Sequence, residues 1–279
     1  MDQRSRGQTW MGEALSAFLL ICLTSISWPA TAHAGVVISE GNVDLALSFD
    51  RDTRTWGLIA SGDAGDFPLN QVQLLLNANA MQTQPADPRF AFTGAGPGQP
   101  IWIFPQETIN AVGTIFLAIN GIDGVHPQDF AAYGSSDPRV ASAGSQKWLN
   151  ISLVSVTGSG PDQGGQFSLW QTGGFGDPIL WMSTFANPNP NTLYELAGTE
   201  LHFNWGFTTP GEYDVTLQAS AFLGPDQTDP TVSDDFTVHF VVPAPDVPEP
   251  SSLSLLSLGG GLILMVCWGR RLKPMEATA

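Results

Sequence analysis

Beyond residue 34 the chain holds three histidines, His126, His202 and His239, the side chains best suited to metal or acid–base chemistry near neutral pH. A histidine metal site needs ligands converging at roughly 2.0–2.2 Å and a second shell that orients them. His202 (Glu200-Leu201-His202-Phe203-Asn204) and His239 (Val238-His239-Phe240) fall in strand-like runs expected to be neighbours near the end of the domain, with His126 in a loop. His202 is the candidate metal ligand; a sheet histidine satisfied by a polar neighbour is the competing role. Calcium would use oxygen-rich loops such as Asp50-Arg51-Asp52, Asp63-Ala64-Gly65-Asp66 and the acidic stretch 226–235, none of which reproduces a twelve-residue calcium loop. Ordinary turn chemistry accounts for Asp and Gly there. No cofactor is expected, with calcium or a transition metal as the alternatives.

Catalytic signatures are missing. There is no Gly-x-Ser-x-Gly elbow, no His-Glu-x-x-His and no phosphate loop, and a cysteine nucleophile is ruled out between residues 35 and 248. A glycosidase carboxylate pair is defined by separation in space, and 22 acidic residues in that stretch do not single out two. Trp102, Trp148, Trp170, Trp181 and Trp205 offer rings that stack on sugars or fill a core. No catalytic residue is assigned, and the expectation is a protein that is not an enzyme.

The elements that must position these side chains read as β-strands. Val43-Asp44-Leu45-Ala46-Leu47-Ser48-Phe49 alternates apolar and polar residues; similar runs lie at 56–60, 72–76, 101–104, 115–119, 148–156, 166–171, 179–182, 201–208, 212–221 and 236–242. Period-two patterning between Gly, Pro, Asn and Asp clusters predicts an all-β domain, an antiparallel β-sandwich of immunoglobulin-like or jelly-roll-like type. Residues 71–81 suit a short helix or a strand. Pro210-Gly211 predicts a type II turn joining two strands as a hairpin, Gly supplying the positive φ. Asn187-Pro188-Asn189-Pro190-Asn191 reads as a long surface loop or a break.

Both cysteines, Cys22 and Cys267, lie near the ends, so the middle of the chain must be held by its core and carries no Cys-based zinc site. Residues 35–248 hold five basic residues against 22 acidic ones, a net charge of −17. Such a surface repels nucleic acid and anionic headgroups, which are recognised through Lys and Arg clusters. Nucleic-acid binding is set aside.

The ends read as addresses. Arg4 and Arg6, the apolar stretch 14–26 and Ala32-His33-Ala34 predict a signal peptide over 1–34, cut by signal peptidase after Ala34, with Ala32 and Ala34 as the small residues it reads. A lipoprotein signal on Cys22 fits poorly, because Ile21 stands where a small residue is wanted. Residues 35–243 form the β domain and 244–250 a Pro-rich linker. Residues 251–279 are expected to be a transmembrane anchor with a basic cytoplasmic tail, which puts the domain outside. Pro248-Glu249-Pro250, the apolar segment and Arg270-Arg271 together resemble a PEP-CTERM sorting signal. That resemblance implies an exosortase-type membrane transpeptidase as partner and transfer toward the cell surface.

A second resemblance covers most of 39–242. His202-x-x-Trp205-x-Phe207-Thr208-x-Pro210-Gly211-x-Tyr213-x-Val215-Thr216 looks like the closing hairpin of the choice-of-anchor M domain. Gly41-Asn42-Val43-Asp44-Leu45, the Trp56 strand, Ile101-Trp102-Ile103-Phe104-Pro105-Gln106 and Phe167-Ser168-Leu169-Trp170-Gln171 follow the same pattern in the same order. The resemblance implies a surface domain paired with assorted anchors and supplies no activity. Where similar domains carry further histidines, this chain has Asn42 and Gly57-Leu58-Ile59-Ala60-Ser61.

The function expected from these residues is that of an exported, envelope-anchored bacterial surface module. Its work would be structural or adhesive and non-catalytic, contacting extracellular polysaccharide or an envelope protein. A metal- or ligand-capturing domain associated with uptake is the alternative, and a glycan-active enzyme the third reading.

Overall fold

The computed structural model describes residues 35–132, 137–140, 146–224 and 228–245, all within one compact unit that begins at Gly35. The signal-peptide expectation, with Ala32 and Ala34, lies outside the described residues. So do the Pro248-Glu249-Pro250 motif, Arg270, Arg271 and the expected transmembrane anchor. Among the described residues no helix is long and apolar enough to cross a membrane.

Among the described residues seventeen strands carry the fold: β1 (Val36–Ile38), β2 (Gly41–Asp50), β3 (Thr55–Gly62), β4 (Phe67–Pro68), β5 (Val72–Leu75), β6 (Met81–Thr83), β7 (Pro100–Phe104), β8 (Ile115–Asn120), β9 (Trp148–Thr157), β10 (Phe167–Thr172), β11 (Pro178–Ser183), β12 (Thr192–Leu196), β13 (Glu200–His202), β14 (Asn204–Phe207), β15 (Gly211–Phe222), β16 (Pro230–Val232) and β17 (Phe236–Val242). Sheet A has the order β1-β5-β17-β15-β9-β12, with β16 added to β15; sheet B runs β13-β8-β2-β3-β4; sheet C runs β11-β10-β14-β7-β6.

The all-β expectation holds, and the strand-like runs of the sequence fall on strands, except that the run 201–208 is split at Phe203 into β13 and β14, which belong to different sheets. The arrangement differs from two antiparallel sheets. There are three sheets, and β5 runs parallel to both β1 and β17, as β2 does to β8. These parallel pairs come from connections that leave one sheet and return to it, which period-two patterning does not encode. Residues 71–81 become strand β5 followed by a 3-10 turn at Ala78–Ala80, capped by the Asn77 side chain accepting from the Asn79 amide at 2.9 Å.

Alternation explains the packing. In β2, Val43, Leu45, Leu47 and Phe49 point to the core while Asp44, Ala46 and Ser48 face out. In β15, Tyr213, Val215, Leu217, Ala219 and Ala221 do the same. Sheets B and C both pack on sheet A around one apolar core. Phe240 of β17 lies 5.0 Å from Phe207, 5.7 Å from Trp205 and 6.2 Å from Phe104, measured between ring centroids. β7 and β10 are buried on both faces: Trp102 and Phe104 enter the main core, whereas Ile101, Ile103 and Trp170 form a second apolar cluster on the outer side of sheet C, packed against Phe90 and Phe92.

The chain passes from sheet B to sheet C at buried Phe203, between β13 and β14, and from sheet C to sheet A at Pro210-Gly211. The expected hairpin is therefore a corner: β14 pairs with β7 and β10, and β15 pairs with β9, β16 and β17. Gly211 keeps the positive φ, at 138°, and a Cβ there would sit 2.5 Å from the Gly160 amide nitrogen. This close approach of two backbones admits no side chain.

Candidate functional site

The histidines do not converge. His202 is on β13 in sheet B and His239 on β17 in sheet A, so the expected neighbours belong to different sheets. His126 is exposed at the start of a 3-10 turn. His202 shares the outer face of its strand with Glu200, two residues away, and its Nε2 lies 2.8 Å from Glu200 Oε1. Its ring stacks on Phe116 with centroids 3.8 Å apart. His239 stands opposite Asp214 in the β15–β17 pairing, Nδ1 at 2.5 Å from Oδ1. Both are sheet histidines held by a carboxylate.

The outer face of sheet B gathers several residues singled out in the sequence. Register places His202, Ala118, Asp44 and Ser61 side by side across β13, β8, β2 and β3. Asp44 accepts from Asn120 Nδ2 at 3.0 Å and from Asn42 Nδ2 at 3.3 Å. Ser61 donates to Asp66 at 2.6 Å. Of the run Gly57-Leu58-Ile59-Ala60-Ser61, Leu58 and Ala60 turn to the core, leaving no polar side chain but Ser61 on this face. Among the described residues no three His, Cys, Asp or Glu side chains form a group able to hold a metal ion.

Acidic loops are used as turns. Asp50 Oδ1 accepts from the amides of Thr53 and Asp52 at 3.1 and 2.8 Å, and these bonds hold its carboxyl below the usual range. Asp63 accepts from the Asn42 amide at 2.9 Å, and Asp229 pairs with Arg54 at 2.5 Å.

One acidic side chain is placed unlike the others. Glu195 follows Leu193 on the inward face of β12, is fully buried, and neither carboxyl oxygen has a hydrogen-bond partner among the described residues. Burial, followed by the nearby Glu200 charge, pushes its pKa well above the ordinary carboxyl value. The period-two pattern of Leu193-Tyr194-Glu195 carries the signal for this position, but a strand there was not expected.

Of the candidate stacking tryptophans, Trp102 and Trp205 fill the main core, while Trp181 is buried under Arg139, whose guanidinium lies 4.9 Å from its ring centroid. Trp170 instead lies in the floor of a groove of about 470 Å³ on the outer side of sheet C. Ile101 and Ile103 complete that floor, and Phe90 and Pro105 form its walls. The polar lining consists of Gln82, Thr83, Gln84, Asn110, Thr172 and Asn204, with no ionisable side chain among the described residues. Sequence reading missed these amides, which come from four separate segments.

Asn204 is locked in place. Its Oδ1 accepts from the Gln106 amide at 3.0 Å, and its Nδ2 lies 3.3 Å from both Gln106 Oε1 and Thr172 Oγ1. Gln106 Oε1 also accepts from the Thr172 amide at 2.5 Å. On the outer face of sheet B a second, more open groove of about 740 Å³ is lined by Glu40, Asn42, Asp63, Thr108, Thr114 and Phe116, among others.

Comparison with known proteins places one part of the chain. Residues 246–271 match the PEP-CTERM protein-sorting motif. No curated protein and no solved structure matches the chain. The PEP-CTERM motif marks an exported protein sorted to the cell envelope, and it implies exosortase-type processing and membrane association at the C-terminus. It begins four residues after Val242, the last residue of β17.

Proposed function

We propose that this PEP-CTERM protein is an envelope-anchored surface module whose β domain does structural or adhesive work without catalysis, contacting extracellular polysaccharide or another envelope protein. The spacing between scaffold and address carries this reading. β17 ends at Val242 and the sorting motif starts at residue 246. At 3.3–3.6 Å per extended residue, Val242 to Pro248 can span at most about 22 Å. A domain on so short a tether works at the surface that holds it.

The chemistry of the domain supports the same reading. His202 and His239 each pair with a carboxylate and His126 is exposed, and among the described residues the lining of the groove over sheet C offers amides and hydroxyls for contact. The choice-of-anchor M resemblance is the finer form of the proposal. It rests on the run from His202 to Thr216 and the four upstream segments in matching order.

Cell fractionation tests it. The wild-type chain is expected in the envelope, reaching the surface. A variant with Pro248, Glu249 and Pro250 replaced by Ala is expected to stop at the membrane. Envelopes carrying the wild-type protein are expected to retain added polysaccharide or envelope protein without degrading it. Full-length protein diffusing in the cytoplasm, or glycan turnover by the purified chain, overturns the proposal.

A further inference from the structure

The groove on the outer side of sheet C has no ionisable side chain in its lining among the described residues, on a domain (residues 35–243) whose net charge is −16. We infer that it is a binding subsite for a neutral polysaccharide of hexopyranose units; this rests on the adhesive reading above and narrows it to one ligand class and one face.

Charge selects the class. A cationic glycan is drawn to the acidic surface at large and finds no carboxylate among the described residues of this lining to hold it in the groove. An anionic glycan would be repelled by the acidic surface around it. A neutral sugar meets neither obstacle.

Shape and bonding chemistry select sugar over a purely apolar ligand. Ile101, Ile103 and Trp170 back the groove from within the fold, at 1, 9 and 3% exposure, and half-buried Phe90 supplies its accessible apolar wall, while exposed Gln82, Thr83 and Asn110 stand around the opening with Thr172 and Asn204 at its inner end. Amides and hydroxyls donate and accept at once, as sugar hydroxyls do. A volume of about 470 Å³ lies in the ordinary range for small-ligand sites, mostly apolar with a few fixed polar groups.

The site is also built in advance. The Gln106–Asn204–Thr172 network fixes the polar end, so little side-chain freedom is lost on binding. At the other side Trp170 lies flat over Gly206, where a Cβ would come 2.6 Å from Trp170 Cζ3. The 3-10 segment Pro88–Thr93 brings Phe90 to the wall, and Phe92 meets Trp170 edge-on at 5.5 Å. Among the described residues the lining itself holds no carboxyl or imidazole, and the Glu107 carboxylate reaches it only through Asn110 Nδ2 at 3.4 Å, so binding is expected without cleavage.

The test uses the full chain purified in detergent. The probes are immobilised dextran, mannan, galactan and cello-oligosaccharides as neutral glycans, with alginate and chitosan as anionic and cationic comparators. Retention is expected on at least one neutral glycan and on neither charged one, with the glycan recovered intact. Gln82, Thr83 and Asn110 are exposed, so Q82A/T83A/N110A is expected to keep the wild-type melting temperature and weaken retention at least tenfold. Asp52→Asn in the β2–β3 turn is expected to bind as wild type.

Failure on every neutral glycan, or equal retention on alginate or chitosan, overturns the inference. Neutral-glycan retention unchanged in Q82A/T83A/N110A overturns the groove as the site but leaves the adhesive reading intact. Loss of surface delivery in the fractionation experiment would instead strike the adhesive reading itself.

Discussion

The phenol of Tyr213 donates to the carbonyl of Thr209 at 2.8 Å and accepts from the Thr209 amide at 3.2 Å, closing the corner that carries the chain from sheet C to sheet A. This is a tyrosine corner, in which a buried Tyr ties back to backbone just upstream of its strand. The ring is fully buried and meets Phe207 edge-on at 4.9 Å. Glycines make the space: a Cβ on Gly160 would come 2.2 Å from Tyr213 Cε2, and one on Gly165 would come 2.1 Å from its hydroxyl.

Tyr213→Phe keeps the ring and removes both bonds. It is expected to cost about 1–2 kcal/mol, read as a lower urea midpoint with unchanged m value. Burial pushes the Tyr213 hydroxyl up to about 12 from 10.0. The folded state therefore holds this proton more tightly than the unfolded chain. The stability it contributes is full below pH about 10 and declines as the pH rises toward 12. Urea midpoints measured across that window are expected to fall in the wild type more steeply than in Y213F.

Glu195 gives a second pH dependence with the same sign, at acid to neutral pH. Its folded pKa is raised above 4.5, first by burial and then by Glu200. Its stabilising share is complete below the unfolded value and is lost as pH rises through the folded one. Glu195→Gln is expected to flatten the stability profile above pH 4.5. Glu195→Leu is expected to raise stability at neutral pH by roughly 1–3 kcal/mol, because the buried polar group has no hydrogen-bond partner among the described residues. Thermal melts from pH 4 to 8 measure both; an unchanged profile in E195Q refutes the assignment.

Gly206→Ala is expected to cost about 1–3 kcal/mol by overpacking. The added methyl meets Trp170 at Cζ3 and Cη2, 2.6 and 2.9 Å away, and the ring is only 3% exposed, so it has little room to give. A calorimetric scan checks the loss, and a wild-type melting temperature would contradict the packing described.

Arg139 ties the short segment 137–140 to sheet C. Its guanidinium pairs with Asp137 at 2.5 Å, donates to the carbonyls of Leu180 and Trp181 at 2.9 and 3.3 Å, and lies over the Trp181 ring. The pairing with Arg139 holds the Asp137 carboxyl below its usual range. Lys has no planar fork to repeat these bonds. Arg139→Lys is expected to raise the rate of proteolytic nicking within residues 137–140 several-fold, with a smaller change in global melting temperature.

Much of the strand content was legible. The alternation of Val43 to Phe49 and of Tyr213 to Leu217 survives in the fold residue by residue, because one face of each strand is buried and the other is not. Short strands escaped notice: Val36–Ile38, Phe67–Pro68 and Pro230–Val232 span too few residues to show a period. The corner at Pro210-Gly211 looked like a hairpin because a turn residue reports local φ, whereas pairing partners are set by distant segments.

The sorting address was legible for a different reason. Pro248-Glu249-Pro250, an apolar segment and Arg270-Arg271 are recognised as linear order, and the match over residues 246–271 agrees. The separation of His202 from His239, the burial of Glu195 and the gathering of Gln82, Asn110, Thr172 and Asn204 around Trp170 were decided only by the tertiary structure. Period and composition report which way a side chain turns from its own strand. Which strands then lie beside it depends on the long-range pairing of three sheets, and no local run of residues contains that information.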